Sequence, residues 1–319
     1  MSRVLGMILA GLAGFLLCTA VLLMVYAPGK AKVTPLDINS TTHLSGTATA
    51  LPTGGRGPIK AVNRSAIDSG SSDGDVAVFE SFTCLMTGTS GPECVDDKDP
   101  DKRLVSASTD RFATDRKTAL AIQDEKYTDV GDKHEGLINK LPFDAEKKTY
   151  PMWDGILGKS VDLVFDGEEE IEGLNTYRYI IDIPATKAEI AKGVQGTYQD
   201  HKTLWYEPKT GSPINQVEKQ VRKLANGTAV LDMELAYTDE QVSKNVEAAK
   251  ANVSKLNLIS KGPIFAGILG LISAAAAAAL LLGGRRQDDV VAADGYTDDN
   301  TLLDDFSEGR AASRRDLQP

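Results

Sequence analysis

The chain has 319 residues, which allows one large domain or two modest ones. Its 35 Lys and Arg against 45 Asp and Glu give a net charge of −10, an acidity that argues against nucleic-acid binding. Three Cys and three His without a repeated spacing exclude zinc ribbons, iron–sulfur clusters and thioredoxin-like redox sites.

The first predicted element is a membrane-spanning helix at residues 4–27, after a cytoplasmic N-terminus at residues 1–3. It contains 23 consecutive uncharged residues, Val4 to Tyr26. At about 1.5 Å per residue this run crosses the roughly 30 Å hydrocarbon layer. A cleavable signal peptide is the alternative, but its apolar region is usually about 7–15 residues long. The length favours an uncleaved anchor.

Residues 28–261 form a predicted extracytoplasmic, β-rich domain. Short runs of β-branched and aromatic residues between turn formers predict strands. These runs are a β-prone piece at Thr41 to Leu51, DVAVFESFTC, RLVSAST, VDLVFDG, TYRYIIDI, TLWYE, SPINQVEKQVR and TAVLDMELAYT. Helical texture is confined to ATKAEIAKGV and to residues 239–258, where the helix is expected to end before Gly262-Pro263. The predicted fold class is therefore mainly β, of the α+β type.

Two cysteines of this domain are candidates for a disulfide. Cys84 and Cys94 flank a short loop that contains TGTSG, and Cys18 lies in the first membrane span. In an oxidising compartment, bonding Cys84 to Cys94 would stabilise the loop by a few kcal/mol. Two free thiols are the alternative.

The domain also contains a predicted internal repeat. FATDRKTALAI at residues 112–122 aligns without gaps with LWYEPKTGSPI at residues 204–214, and a strong strand precedes each segment. Both segments read as a strand, an acid, a Lys-Thr turn and a return strand. The alignment predicts two related halves, approximately residues 33–140 and 141–240. Chance similarity between hairpins is the alternative.

An aromatic segment, LPFDAEKKTYPMWD at residues 141–154, is the main candidate for a binding site. Aromatic and Met side chains in a proline-bounded segment can line an apolar pocket or fill the core between two sheets. Both interpretations remain open from the sequence. Together with the aromatic pair in the second half, the candidate lipid-binding residues are Phe143, Tyr150, Met152, Trp153, Trp205 and Tyr206.

Catalytic and metal-binding motifs are not recognisable in the sequence. His43, His134 and His201 are scattered among polar residues and are expected at the surface. Asp97, Asp99 and Asp101 alternate as calcium ligands can, but Lys102 and Ser108 stand where the loop needs Gly and Glu, so a solvated acidic loop is expected. We therefore expect no enzyme, cofactor or metal. Carboxylate pairs that meet only in the fold keep an enzyme as an alternative.

The second predicted span, residues 263–282, is followed by Arg285 and Arg286. Positive charge beside a span marks the cytoplasmic side. The sequence thus predicts an inner (plasma) membrane protein with two spans, both termini in the cytoplasm and the main domain in the periplasm. Lys30 and Lys32 after the first span oppose this orientation.

Small residues four apart in both spans suggest close helix packing against each other or against a larger membrane protein. The alternative is that Gly and Ala are simply common in membrane spans. These residues are Gly6, Ala10, Gly14, Ala266, Gly270, Ala274 and Ala278. After the second span, the acidic composition of residues 283–319 predicts a disordered cytoplasmic tail. Within it, Leu302, Leu303 and Phe306 form either a docking motif for a cytoplasmic growth-pole protein or part of a solubilising tail.

Four segments carry a resemblance to a known family: APGKAKVTPLDINSTTHLSGTA, STDRFATDRKTALA, LPFDAEKKTYPMWD and TLWYEPKTG, followed by a terminal membrane helix. Over about residues 4–284 the chain resembles the actinobacterial polar growth factor A family of envelope proteins, also filed as the porin PorA family. The resemblance implies a periplasmic β-rich domain held by two membrane helices, without established catalytic residues. It also implies work in envelope growth beside an MmpL-type exporter of mycolic-acid glycolipids, with trehalose monomycolate as the ligand. The acidic tail departs from the family pattern.

The word porin conflicts with the strand pattern. The predicted strands carry charges such as Glu218, Lys219 and Arg222 on both faces, which does not suit a lipid-facing barrel. We expect no pore from this chain alone. The leading hypothesis is a non-enzymatic envelope-biogenesis factor that binds or hands on a mycolic-acid glycolipid and supports polar growth. The alternatives are a scaffolding membrane protein without a lipid site and an envelope enzyme.

Overall fold

The computed structural model describes residues 2–26, 29, 31–52, 55–129 and 133–293, with side chains up to Leu282. Its helices and strands, in chain order, are α1 (Ser2–Val25), β1 (Asn39–Ala50), β2 (Gly57–Ile67), β3 (Val76–Thr87), β4 (Leu104–Asp115), β5 (Ala121–Ile122), β6 (Tyr150–Asp154), β7 (Lys159–Ile171), β8 (Leu174–Ala191), β9 (Val194–Tyr206), β10 (Pro213–Leu224), β11 (Ala229–Tyr237) and α2 (Asp239–Ala293). The chain divides into two compact units, Met1–Val25 with Lys261–Pro319 and Tyr26–Ser260. The predicted mainly β class with two terminal helices is confirmed.

The first unit contains α1 and the second part of α2, which are both long and apolar enough to cross a membrane. The two helices pack antiparallel. A Cβ added at Gly6 would lie 2.9 Å from Leu281 Cγ, and one added at Gly270 would lie 3.0 Å from Leu17 Cγ. An antiparallel pair returns the chain to the side of the membrane on which it began.

The contact between these helices repeats every seven residues, not every four as expected. The buried positions are Gly6, Ala13 and Ala20 on α1 and Pro263, Gly270 and Ala277 on α2. Gly14, by contrast, has open space where its Cβ would be. Two helices that wind around each other keep the same face in contact when they have about 3.5 residues per turn. The contact positions therefore repeat every seven residues, which is two turns.

The expected break at Gly262-Pro263 is wrong, because α2 is one helix from Asp239 to Ala293 with Pro263 inside it. Proline lacks the N–H that would bond four residues back, and its ring crowds the carbonyl there, so it weakens the helix at one point. The neighbouring bonds of the helix can continue on both sides. The remainder of the predicted tail, including Leu302, Leu303 and Phe306, lies outside the described residues.

The second unit is built on an eleven-stranded antiparallel sheet with the order β5-β4-β3-β2-β1-β11-β10-β9-β8-β7-β6. Each strand from β1 to β5, and from β6 to β11, pairs with its neighbour in sequence. Pairing of β1 with β11, from Leu44–Tyr237 to Ala50–Asp232, joins the two series into one sheet. The predicted boundary between halves at residues 140 and 141 falls between β5 and β6.

The two ends of the sheet are brought together by one short segment. Leu137 forms bridges to Leu120, beside β5, and to Met152 in β6. Ala121 N–H donates to Gly136 O at 2.8 Å, and Leu137 N–H donates to Pro151 O at 2.8 Å. The sheet is therefore curled, with both faces contributing to hydrophobic clusters.

The segment ATKAEIAKGV is strand rather than helix, which corrects the expectation. It forms the end of β8 and the turn into β9, with pairs from Thr186–Tyr198 to Ala191–Val194. Its Ile190 is buried in the main core cluster. The pairing with β9 and the burial of Ile190 outweigh the helix propensity of Ala, Lys and Glu.

Candidate functional site

A cleft opens where β7 parts from β8. The ladder between these strands runs from Val164–Ile180 to Ile171–Leu174, with an irregularity between Phe165 and Gly167. The preceding residues of β7, Lys159 to Leu163, pair with β6 instead. Meanwhile β8 continues to Ala191 against β9. Because β7 turns to β6 while β8 follows β9, the two strands diverge and leave a wedge-shaped gap.

This cleft has a volume of about 640 Å³ and a mixed lining. Its apolar residues are Leu157, Val161, Val164, Ile180, Ile183 and Pro184. Its polar residues are Lys159, Ser160, Asp162, Asp166, Asp182 and Thr186. Val164, one of the lining residues, is 46% exposed. A surface that alternates apolar and carboxylate groups suits an amphipathic ligand without negative charge.

The three carboxylates of the cleft differ in their availability. Arg178 Nε donates to Asp166 Oδ2 at 2.7 Å, and His201 Nδ1 lies 3.4 Å from Asp182 Oδ1. Asp162 is exposed and has no side-chain partner among the described residues. Asp162 is therefore the carboxylate most available to accept hydrogen bonds from a ligand.

A buried polar cluster of Asp154, Tyr198, Asp200, Lys202 and Glu218 lies directly behind the cleft. Two lining residues of the cleft, Ile183 and Thr186, are the strand partners of Asp200 and Tyr198. The cleft and the cluster also share the β6–β7 turn, because Leu157 N–H donates to Asp154 Oδ1 at 2.8 Å. The wall of the cleft is thus attached to the cluster at three points.

Hydrogen bonds and ion pairs connect the members of this cluster. The Tyr198 hydroxyl lies 2.9 Å from Oδ2 of both Asp154 and Asp200. Lys202 Nζ lies 3.0 Å from Asp200 Oδ2 and 3.5 Å from Glu218 Oε1. Glu218 also accepts hydrogen bonds from the side chains of Gln216 and Gln220.

Burial changes the protonation of the cluster. Asp200 is fully buried, and this burial raises the pKa of its carboxyl to about 6, with the nearby charge of Glu218 acting in the same direction and Lys202 opposing it. Burial opposes the charge on Lys202, but the carboxylates of Glu218 and Asp200 outweigh it and raise the pKa of Lys202. Oδ1 of Asp200 is buried and has no partner in the described part of the chain. Burial therefore destabilises the ionised form of Asp200 relative to the neutral form.

Three of the predicted lipid-binding residues lie together in the main hydrophobic core. Tyr150, Met152 and Tyr206 are all buried and belong to one cluster with Leu163 and Tyr179. The rings of Tyr179 and Tyr206 are 6.0 Å apart and edge to face. None of the three lines the cleft. Their contact with lipid stays a prediction.

The other three predicted residues lie apart from one another. Trp205 packs in the hydrophobic cluster that joins the sheet to α2, and its Nε1–H donates to Glu169 Oε2 at 3.0 Å. Trp153 lies 5.0 Å from the His134 ring, and the Phe143 ring lies 4.0 Å from Lys140 Nζ. The six residues therefore do not form a single site.

His134 is buried, which corrects its expected surface position. Its ring lies between those of Phe112 and Trp153, at 5.7 Å and 5.0 Å, and Nε2 is 3.1 Å from Asp110 Oδ2. The reason is the segment that joins the ends of the sheet, because it carries His134 between β4 and β6. His43 and His201 are partly exposed and contact Glu93 and Asp182.

The predicted disulfide between Cys84 and Cys94 is confirmed. The acidic loop that follows is not wholly solvated, because Asp99 is buried. Arg103 donates from Nη2 and Nε to Asp99 at 2.5 Å and 3.0 Å. These hydrogen bonds lower the pKa of Asp99 to about 2. Among the described residues, no group of three or more His, Cys, Asp or Glu side chains is arranged to hold a metal ion.

Comparison with known proteins gives a family that agrees with the resemblance drawn from the sequence. Residues 5–279 match the family described as Porin PorA. A protein of Corynebacterium amycolatum named Porin PorA is 29% identical over 118 residues, which are 33% of this chain and 30% of that protein. The matched region thus covers less than a third of that relative's length. The family match, which extends from α1 into the second span, shows that this chain belongs to the Porin PorA family.

Proposed function

We propose that the protein is a non-enzymatic factor of cell-envelope biogenesis that binds a mycolic-acid glycolipid in the cleft between β7 and β8. The observation that carries this proposal is the lining of the cleft, which is half apolar and half polar over about 640 Å³. Cavities of this size lie within the range of small-molecule sites, roughly 300–1,000 Å³. A domain that is tethered through α1 and α2 has ready access to lipids of the same membrane.

The chemistry of the cleft favours a sugar headgroup over a phosphate. Sugar hydroxyls donate hydrogen bonds, and Asp162 offers a free carboxylate to accept them. A phosphate would instead be repelled by the unpaired carboxylate of Asp162, and Lys159 is the only Lys or Arg among the described residues that line the cleft. Part of an acyl chain would lie on Val161, Val164 and Ile180, each buried methylene contributing about 0.8 kcal/mol.

In this proposal the ligand is trehalose monomycolate, and the protein receives it from, or hands it to, an MmpL-type exporter and so supports polar growth. Both helices span the inner membrane with the two termini in the cytoplasm, since the antiparallel helix pair places Gly6 beside Leu281 and Arg285 and Arg286 follow. The β-rich domain then lies in the periplasm, on the side where exported glycolipids arrive.

A scaffold without a lipid site is the second candidate, and the packed core favours it. Tyr179, Tyr198 and Tyr206 are fully buried among other side chains, so this part of the sheet interior holds protein atoms rather than an acyl chain. The same packing argues against conduction through the sheet. We expect no single-channel conductance from the purified full chain in a planar bilayer.

A matched pair of variants tests the glycolipid site. Val164 and Val194 are both partly exposed strand residues, at 46% and 37%, but only Val164 lines the cleft. Val164→Glu puts a charge where an acyl chain would lie, so trehalose monomycolate binding to the full chain in nanodiscs should fall by about tenfold or more. Val194→Glu should leave binding unchanged.

Two other outcomes have distinct meanings. Equal binding by the wild type and Val164→Glu would overturn the cleft as the site. If Met152→Ala then weakens binding without loss of thermal stability, the aromatic segment holds the lipid. If the wild type binds no trehalose monomycolate, the scaffold is the better function.

A further inference from the structure

The last part of β8 has one edge without a strand partner. Pairing of β7 with β8 stops at Val164–Ile180, whereas β8 continues along β9 as far as the pair Ala191–Val194. In the described part of the chain, no further backbone–backbone hydrogen bond reaches residues 181–191. The N–H and C=O groups of alternate residues point to opposite sides of an antiparallel strand. About half of the backbone groups in this stretch therefore have no strand partner.

The β6–β7 turn lies next to this part of β8 but does not cover its edge. The Tyr198 hydroxyl is 2.9 Å from Oδ2 of Asp154, at the end of β6. Tyr198 is the strand partner of Thr186, so the side chains of these two residues lie on the same face of the sheet. Leu157 in the turn packs against the core cluster that contains Tyr198. The turn thus lies under the inner face of the β8–β9 hairpin, and the edge of β8 stays open.

Only part of this open edge can accept another strand. Proteins commonly protect open edges with Pro or with a bulge, because such edges pair readily with other chains. Pro184 has no N–H to donate, and the ladder with β9 is irregular between Ile183 and Thr186. From Thr186 to Glu189 the pairing with β9 is regular again. The stretch that can accept a strand is therefore centred on Ala188.

The charges of this stretch complement a second copy of the same stretch. Lys187 and Glu189 are both exposed, and neither forms an ion pair with another described residue. If two copies pair antiparallel about Ala188, Lys187 of each copy lies directly opposite Glu189 of the other. Opposite charges at directly opposed positions stabilise an antiparallel pair, whereas like charges destabilise it.

We propose that residues 185–191 of β8 pair with the same residues of a second copy of this chain, forming a symmetric dimer with one continuous antiparallel sheet. The support is the open edge, the position of the β6–β7 turn under the inner face, and the match of Lys187 with Glu189. In a two-fold symmetric interface each contact occurs twice, so both ion pairs form together. Residues 187–189 do not line the cleft, so this proposal does not depend on the glycolipid site.

Sedimentation velocity of the full chain in dodecyl maltoside tests the dimer. We expect the wild type to dimerise as its concentration rises. Lys187→Glu and Glu189→Lys each place like charges opposite each other twice, so each should raise the dissociation constant of the dimer by about tenfold or more. Lys219→Glu is the matched control, because it makes the same charge change at an exposed position of β10 and should leave the dimer unchanged.

An equimolar mixture of Lys187→Glu and Glu189→Lys restores opposite charges across the pair, so the mixture should associate as the wild type does. This rescue also shows that both variants are folded. A wild type that stays monomeric would overturn the proposal. So would single variants that dimerise as the wild type does, or folded variants whose mixture associates no better than each one alone. Trehalose monomycolate binding by the monomeric variants should be unchanged, so failure of the dimer is distinguishable from failure of the glycolipid site.

Discussion

The hydroxyl oxygen of Tyr198 lies 2.9 Å from Oδ2 of Asp200. It lies equally close to Oδ2 of Asp154, yet a tyrosine hydroxyl has only one proton to donate. Both contacts are hydrogen bonds only when one of the two carboxyl groups carries a proton. Burial raises the pKa of Asp200 to about 6, so Asp200 is the group that can hold this proton in mild acid. The wall of the cleft is therefore linked to a group that titrates near neutrality.

The first prediction concerns stability and pH. The pKa of Asp200 is raised from 3.8 to about 6 in the folded protein, so its favourable contribution is complete below about pH 4 and is lost as the pH rises through 6. The shift corresponds to about 3 kcal/mol. Asp200→Asn should remove this dependence. Relative to wild type, its free energy of unfolding should be more favourable at about pH 8 than at about pH 4.5.

Thermal or chemical unfolding of the full chain at the two pH values measures this difference. Asp182→Asn is the control, because Asp182 is exposed on the neighbouring strand and its substitution should have little effect at either pH. If Asp200→Asn changes the free energy of unfolding equally at both pH values, Asp200 does not titrate between them and its pKa is not near 6 in the folded protein.

A second prediction concerns the helix pair of the first unit. A Cβ added at Gly267 would lie 3.9 Å from the Cβ of Ala20, which is within the range for a disulfide. In a Cys18→Ser background, Ala20→Cys/Gly267→Cys should therefore form an intramolecular cross-link on mild oxidation. Gly270→Leu should suppress the cross-link, since a Cβ at Gly270 already meets Leu17 Cγ at 3.0 Å.

Gly14→Leu is the matched control for this experiment. A side chain at Gly14 meets open space within 4 Å, so the cross-link should form as before. Reduced and oxidised samples are separated by their mobility in denaturing gels. Loss of the cross-link in the Gly14 variant as well would show that the helices pack on a different face.

The two halves of the sheet contain the same turn, and a third prediction follows from it. Asp115 accepts hydrogen bonds from Lys117 N–H, Thr118 N–H and the Thr118 hydroxyl at 2.9, 2.7 and 2.9 Å. Glu207 accepts the corresponding bonds from Lys209 and Thr210 at 2.9, 2.7 and 2.6 Å. The aligned Lys-Thr segments in the sequence thus have the same hydrogen bonds.

Loss of either carboxylate leaves N–H groups of the turn without an acceptor. The effect should differ, because the Glu207 carboxylate is more deeply buried than that of Asp115. Glu207 is 3% exposed, whereas Asp115 is half-buried and water can replace its oxygen. We expect Glu207→Ala to lower the free energy of unfolding by about 2–3 kcal/mol and Asp115→Ala by about 1 kcal/mol. Equal losses measured by denaturant titration would show that burial does not set the difference.

A fourth prediction concerns the disulfide. Cys84 is fully buried in a small cluster with Val62 and Met86, while Cys94 belongs to the loop that packs on it. Cys84→Ser/Cys94→Ser should lower stability by about 2–4 kcal/mol and leave the sheet folded. Circular dichroism and limited proteolysis report the sheet and the loop separately. Complete loss of the β signal would mean that the loop supports more of the core than this cluster indicates.

The sequence was sufficient for features that depend on local patterns. Short runs of β-branched and aromatic residues predicted β3, β7, β10 and β11, and the repeated Lys-Thr segment indicated equivalent turns. Other features depend on pairing between distant strands. Lys159 to Leu163 look like an ordinary strand, and only their pairing with β6 opens the cleft. Tyr198, Asp200 and Lys202 alternate along β9 like a solvated face, but the curled sheet encloses that face.

Photocrosslinking of a trehalose lipid to the wild-type protein is the measurement that tests the central claim most directly. The probe is a trehalose monoester with a diazirine in its acyl chain, added to the full chain in nanodiscs and mapped by peptide mass spectrometry. We expect cross-links to residues 157–166 and 180–186, which line the cleft, and competition by unlabelled trehalose monomycolate. Cross-links confined to α1 and α2, or to the segment at residues 141–154, would contradict binding in the cleft.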